Sequence, residues 1–196
     1  KKLKEKDLFK GELHNSVEAY GFWKLASITG AKAFYSEKKL VTVNLIFPSL
    51  YGPRDKFDPE NSHVISSLIV KFYKAIKEKK KIVTLWGSGE PIREFIYIDD
   101  AVDVLLKIAS KYNSIKPINA GIGKGYKIKK IALLLSRIYN FNGKIFWNKS
   151  KPDGQKSKIL DNELIRKNIN WKQKINVEKG LTLTVKWFLK NKARNV

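Results

Sequence analysis

Apolar positions along this chain change their spacing several times, and each change marks an element. Over residues 16–37 small and apolar side chains recur at helical spacing, at Ala19, Tyr20, Trp23, Ala26, Ile28, Ala31 and Phe34, which predicts a helix. Residues 40–47 form a continuous, β-branched run, the pattern of a buried strand. Tyr51-Gly52-Pro53-Arg54-Asp55 reads as a turn, and a polar loop leads to Ser62, which can cap a helix over 63–77. Short strands are expected at 82–85 and 95–98. Asp99 then caps a helix over 99–112, with Val102, Leu105, Leu106 and Ala109 on one face. A strand at 117–120, a loop at 121–125, a helix at 127–139 and a strand at 144–147 follow. After a polar loop at 148–156 come a short helix near 162–167 and a last helix over 177–190, whose apolar side carries Val177, Leu181, Val185 and Phe188. Strands separated by helices predict an α/β fold with parallel pairing. The glycines at 121, 123 and 125 look like a dinucleotide turn but lack its spacing and its downstream acid, so they read as a plain loop.

Composition narrows the classes. With 43% apolar and 12% aromatic residues in 196, the chain can bury one good core and is not disordered. No apolar run reaches membrane length, and no apolar segment follows the basic start as a signal peptide requires. Absence of Cys excludes disulfides and thiolate zinc sites, and two His make a metal site a poor expectation; the cytoplasm is the expected location. Met is missing even at position 1, which points to a piece of a longer polypeptide. The net charge of +22 invites a nucleic-acid reading. Yet it comes from thirty-five Lys against five Arg, spread along the whole chain, and the one run, 77–81, falls where a helix ends. Nucleic-acid binding is therefore not the primary expectation.

Scarce Arg makes Arg93 conspicuous. It stands between the Gly87-Ser88-Gly89 turn and an apolar run, where a planar donor fork suits phosphate and an ordinary ion pair is equally open. Tyr20 and Lys24 lie one helical turn apart, and an ammonium there favours the phenolate, giving a usable acid or base. On spacing alone, a half-buried Tyr beside a solvated Lys is the commoner outcome. His63 can exchange protons near neutrality or simply open a helix. Asp153, in Pro152-Asp153-Gly154, is a strong turn signal in any protein.

Taken in order, Tyr20-x-x-x-Lys24, Tyr51-Gly52-Pro53, Asn61-Ser62-His63-Val64-Ile65, the segment from Trp86 to Phe95, Asn119 to Gly123 and Ser150 to Gly154 resemble the extended short-chain dehydrogenase/reductase family of nucleotide-sugar enzymes. The likeness is greatest to its GDP-L-fucose synthase branch and covers residues 5–189, matching the C-terminal portion of such an enzyme. It implies the end of a Rossmann-type domain over 1–60 and a small mixed α/β substrate-binding domain over 61–196, with about 95–120 returning to the first. It implies NADP(H) as cofactor, a GDP-sugar as substrate, no metal, no membrane, and a homodimer formed through the Tyr20 helix, where Phe22 and Trp23 would suit the contact. Tyr20 would be the catalytic acid, Lys24 would bind the nicotinamide ribose, and Phe47, Pro48, Ser49 and Leu50 would line the nicotinamide end together with His63. His63 would also be an acid of the epimerisation. Lys71, Trp86, Arg93 and Asp153 would contact the substrate, with Arg93 on the pyrophosphate and Lys71 where an Arg is usual.

Ser49 replaces the family's Asn, the proline is displaced to Pro48, and Gly21-Phe22-Trp23 adds bulk inside the Tyr-Lys motif. The family's glycine-rich cofactor turn, catalytic Ser or Thr and second acid/base Cys fall upstream of the matched region. The 196 residues alone are therefore expected neither to bind NADP(H) tightly nor to turn over, and to leave Trp23, Ile28 and Phe34 uncovered. The rival expectations are another nucleotide-sugar epimerase, dehydratase or reductase, and a catalytically silent basic binding module.

Overall fold

The computed structural model describes residues 2–13 and 15–193. Helix α1 (Glu18–Lys38) follows a short 3-10 turn and occupies nearly its expected span. Of its apolar positions only Ile28 and Ala31 are buried, while Trp23 and Phe34 are 68% and 59% exposed. Ile28 thus departs from the uncovered face expected of it.

Strand β1 (Leu45–Ile46) pairs in parallel with β5 (Ile118–Asn119). The 40–47 run yields only this much ladder, and Leu40 and Val41 lie exposed. Apolar, β-branched residues become sheet only where a neighbouring strand meets them, and none does at 40–43 among the described residues. β2 (Ser49–Tyr51), expected as the approach to a turn, pairs in parallel with β4 (Ile92–Tyr97), with Ser49 opposite Phe95. Strand β3 (Ile82–Trp86) pairs in parallel with β7 (Lys144–Asn148).

β4 begins at Ile92 rather than at 95, because two short strands hidden in the expected loops pair with its first half. These are β6 (Gly125–Lys127), antiparallel, and β8 (Ser157–Lys158), parallel. Helix α3 (Ile98–Lys111) follows β4 with no loop, so Tyr97 takes the capping position and Asp99 falls inside the first turn instead of capping it. A carboxylate there still faces the positive end of the helix. Likewise α2 (Val64–Lys77) is opened by His63, not Ser62, whose hydroxyl donates to the Asp58 carbonyl. Helices α4 (Ile128–Ile138), α5 (Glu163–Ile169) and α6 (Val177–Asn191) complete the chain.

Two clusters of buried side chains organise these elements. In the first, α2 packs on β3 and α4, and α6 on α4 and β4, with Phe72, Ile69, Leu135 and Phe188 among the buried side chains, and the expected α6 stripe of Val177, Leu181, Val185 and Phe188 is buried throughout. The second joins α3, β5 and α5 through Ile96, Val104, Ile108, Ile118, Ile165 and Trp171. Here α3 buries Ala101, Val104 and Ile108, while the face anticipated from its sequence is the outer one, Val102, Leu105 and Leu106 being 48%, 43% and 62% exposed, with Ala109 beside them. Both sides of the helix are apolar, and buried Asp100 helps select between them: its carboxylate accepts the N–H groups of Lys174 (3.0 Å) and Ile175 (2.9 Å). Such a carboxylate stays inside only because it is hydrogen-bonded.

One buried polar atom breaks that rule. Among the described residues, the Tyr139 hydroxyl is buried without a partner, on a ring stacked against Phe72 at 6.3 Å. Tyr139→Phe is therefore expected to stabilise the chain by about 1 kcal/mol, since the desolvated hydroxyl costs more than it returns. Urea unfolding checks this; a lower midpoint in the variant would mean that the hydroxyl does find a partner. No described helix is long and apolar enough to cross a membrane, and no described group of three or more His, Cys, Asp or Glu is placed to hold a metal ion.

Candidate functional site

The register of β3 and β7 sets up the site. Leu85 lies opposite Trp147 and Trp86 opposite Asn148, so two indoles reach the same end of this sheet. Beyond Trp86 the chain must turn at once, and Gly87 and Gly89 do so with φ of 76° and 74°. A Cβ on Gly87 would lie 2.2 Å from Asp153 Oδ1, and one on Gly89 would lie 2.7 Å from the Trp147 ring. Glycine is therefore required twice over, by conformation and by close approach.

Around this turn lies a cavity of about 210 Å³, lined by α2, the ends of β3 and β7, the start of β4 and the 152–153 turn. Lys71, Trp86, Arg93 and Asp153, the four residues singled out as substrate contacts, all line it. The Lys71 ammonium lies 4.5 Å from the centroid of the Trp86 ring and the Lys151 ammonium 5.4 Å from it. Burial lowers the Lys71 pKa from the ordinary lysine value, with Glu60 opposing the shift. Arg93 is half-buried on β4, and its Nη1 donates to the carbonyls of Gln155 (2.6 Å) and Ile92 (3.0 Å).

Asp153 works chiefly as a latch. Its carboxylate accepts the Ser88 N–H (2.6 Å) and the Ser88 hydroxyl (2.7 Å), which tie its turn to the glycine turn and hold its carboxyl below the usual range. Glu90 fixes the other side. It accepts from Lys127 (2.8 Å) and Lys129 near the start of α4, and these two partners bring its pKa down to about 2.

Sequence reasoning missed two important residues. Trp147 forms a cavity wall, legible only once β3 and β7 are set in register. Glu94, next to Arg93, is 1% exposed and accepts three backbone N–H groups, from Leu160 (2.7 Å), Gly123 (2.8 Å) and Ile122. Burial pushes its carboxyl up while these bonds oppose the shift.

The remaining candidates lie outside the cavity lining. Tyr20 is 67% exposed, with the Lys24 ammonium 5.2 Å from its ring centroid. Phe47 and Pro48, between β1 and β2, and Ser49, the first residue of β2, are half-buried, and Leu50 in β2 is exposed. His63 opens α2 at the rim, between Ser62 and Val64, which do line the cavity; its Nδ1 lies 3.4 Å from Asp55 Oδ1. A larger cavity, about 490 Å³, lies between Lys4–Lys6 and α5 and includes none of the candidates.

The sequence profile of the NAD dependent epimerase/dehydratase family matches residues 2–123. The chain is 35% identical over 189 residues to the probable GDP-L-fucose synthase 1 of Oryza sativa subsp. japonica, covering 96% of this chain and 57% of that protein. It is 33% identical to the GDP-L-colitose synthase of Yersinia pseudotuberculosis, over 97% of this chain and 62% of the other. The crystal structure of a GDP-L-fucose synthetase from Naegleria fowleri bound to NADP superposes with a TM-score of 0.90 at 31% identity, covering 96% of this chain and 61% of that one. This chain thus spans 57–62% of the length of these relatives, less than two thirds of each.

Proposed function

Since the chain belongs to the NAD dependent epimerase/dehydratase family, we propose that it forms the substrate-binding side of an NADP(H)-dependent GDP-sugar epimerase/reductase, converting GDP-4-keto-6-deoxy-D-mannose to GDP-L-fucose as part of a longer enzyme. Family and α/β fold agree with the expectations drawn from the motifs. The observation that carries the proposal is the cavity shared by Lys71, Trp86, Arg93 and Asp153. It offers two cations, a flat aromatic wall and a latched turn, a fit for a nucleoside diphosphate.

In this reading Arg93, braced through Nη1, turns the rest of its fork to the pyrophosphate, and Lys71 adds a point charge beside it. Asp153 keeps the 152–154 turn against the ligand. His63 exchanges a proton at a carbon flanking the 4-keto group, and Tyr20 gives a proton to the C4 oxygen while Lys24 stabilises the phenolate. NADPH, when bound, supplies the hydride. The Tyr20–Lys24 pair and the 47–50 segment fit the nicotinamide end of such a cofactor, but the 196 residues contain no glycine-rich turn for its pyrophosphate. In this reading residues 1–60 are the end of the Rossmann-type part and 61–196 mainly the substrate domain, with about 95–120 returning to the first; the second core, which joins β5 and α3 to partly buried Leu45 and Phe47, is compatible with that return. Phe22 and Trp23, 56% and 68% exposed on α1, suit a homodimer contact.

The 196-residue chain is accordingly expected to show no saturable submicromolar NADPH binding in a fluorescence titration. The full-length gene product, given GDP-4-keto-6-deoxy-mannose and NADPH, should make GDP-fucose with matching loss of NADPH. Turnover of a different GDP-4-keto sugar instead would move the assignment toward relatives such as the colitose synthase. A salt-sensitive DNA shift without turnover would favour the basic binding module.

A further inference from the structure

We infer that Asp55 is the positioning residue for His63, holding the imidazole by Nδ1 so that Nε2 is the nitrogen left for proton exchange. The inference rests on the reading of His63 as an acid of the epimerisation. His63 is a poor acid on its own geometry: its side chain is 76% exposed, and a free ring there samples both tautomers and several rotamers. Among the described residues the imidazole meets Asp55 Oδ1, at 3.4 Å from Nδ1.

Asp55 itself is tightly held. Its side chain is 18% exposed, Oδ2 accepts the Ser66 hydroxyl at 2.5 Å, and Oδ1 also accepts the Lys56 N–H at 2.8 Å. Ser66 is fully buried in the first turn of α2, three residues after His63. The carboxylate is therefore fixed to the same helix end that carries the imidazole. Arg54, just before it, adopts φ 68°, a left-handed conformation that a non-glycine residue holds only where its surroundings enforce it. A carboxylate on Nδ1 selects the Nδ1–H tautomer and orients the ring, as partners behind functional imidazoles commonly do. The bland alternative is that Asp55 serves only its turn, through Ser66 and Lys56.

Two measurements separate these roles. In the ¹⁵N-labelled 196-residue chain at alkaline pH, His63, distinguished from the second histidine by its loss in His63→Asn, should be mainly the Nδ1–H tautomer. Asp55→Asn should move it to mainly Nε2–H, with the fold retained. A wild-type ring without excess Nδ1–H overturns the proposal outright, even if the variant fails to fold. In the full-length gene product in D₂O, deuterium uptake beside the 4-keto group should fall about 10- to 100-fold in Asp55→Asn with KM unchanged. It should vanish in His63→Asn. If His63→Asn exchanges like wild type, the functional reading of His63 fails whatever the tautomer. If His63→Asn is inactive while Asp55→Asn keeps both tautomer and exchange rate, only the Asp55 proposal fails.

Discussion

Glu94→Ala should cost the chain about 3–5 kcal/mol, a large share of the about 5–15 kcal/mol that holds an ordinary domain folded. The wild-type carboxylate lies inside the fold and accepts N–H groups from two separate segments, Ile122 and Gly123 after β5 and Leu160 after β8. Removing it leaves three N–H donors facing a space the size of a side chain. Each desolvated donor left unpaired costs about 1–3 kcal/mol, partly recovered where water enters. Glu94→Gln keeps one acceptor oxygen but turns an NH₂ toward a donor, so it should fall between wild type and Ala. Urea unfolding by circular dichroism measures both. A loss below about 1 kcal/mol for Glu94→Ala would show that the clamp is replaceable and that other contacts hold the 121–123 loop.

The largest effect on ligand binding is expected at the neighbouring residue. Arg93→Lys should weaken GDP binding by the 196-residue chain about 10- to 100-fold, or roughly 1.4–2.8 kcal/mol, by calorimetry. Arg93 spends Nη1 on the carbonyls of Gln155 and Ile92, and in the proposed reading the rest of its planar fork serves the pyrophosphate. A lysine keeps the charge but can neither brace itself on both carbonyls nor present paired donors. Lys71→Ala should cost less, since it removes a point charge already seated on the Trp86 ring. Equal GDP affinity for wild type and Arg93→Lys would remove Arg93 from the phosphate site and leave it the structural role of bracing the Gln155 and Ile92 carbonyls.

What could be read from the sequence depended on how strongly each segment stated its own pattern. The α6 stripe at 177, 181, 185 and 188 was legible because the opposite face of that helix is polar at Glu178, Lys179, Thr182 and Lys186. On α3 the rule failed, because Val102, Leu105 and Leu106 are as apolar as Ala101, Val104 and Ile108. There tertiary bonds to Asp100, distant in sequence, help settle the face. Strands β6 and β8 went unseen because three and two residues, mostly polar or glycine, carry no alternation of their own. β4 recruits them by pairing. The cavity residues Trp86 and Arg93 stood out by type and neighbourhood, whereas Glu94 reads as surface until three backbone N–H groups are found converging on it.

The placement of β4 has a mechanical consequence. Phe95 and Tyr97 point into one core, Ile96 into the other, and the strand runs without a joint into α3. Alternate side chains of one extended segment thus rivet the two halves of the chain together. Rotating one half against the other would tear out a rivet on every second residue. The distance between Arg93 at one end of this segment and the α3 side of the fold is then a fixed length, set by the rise of a strand. A ligand of different size has to be met by the loops around the cavity mouth, above all the tip of the 148–156 segment, which Asp153 latches to Ser88 by two hydrogen bonds while its ends stay tied to Gly87, Ile92 and Arg93.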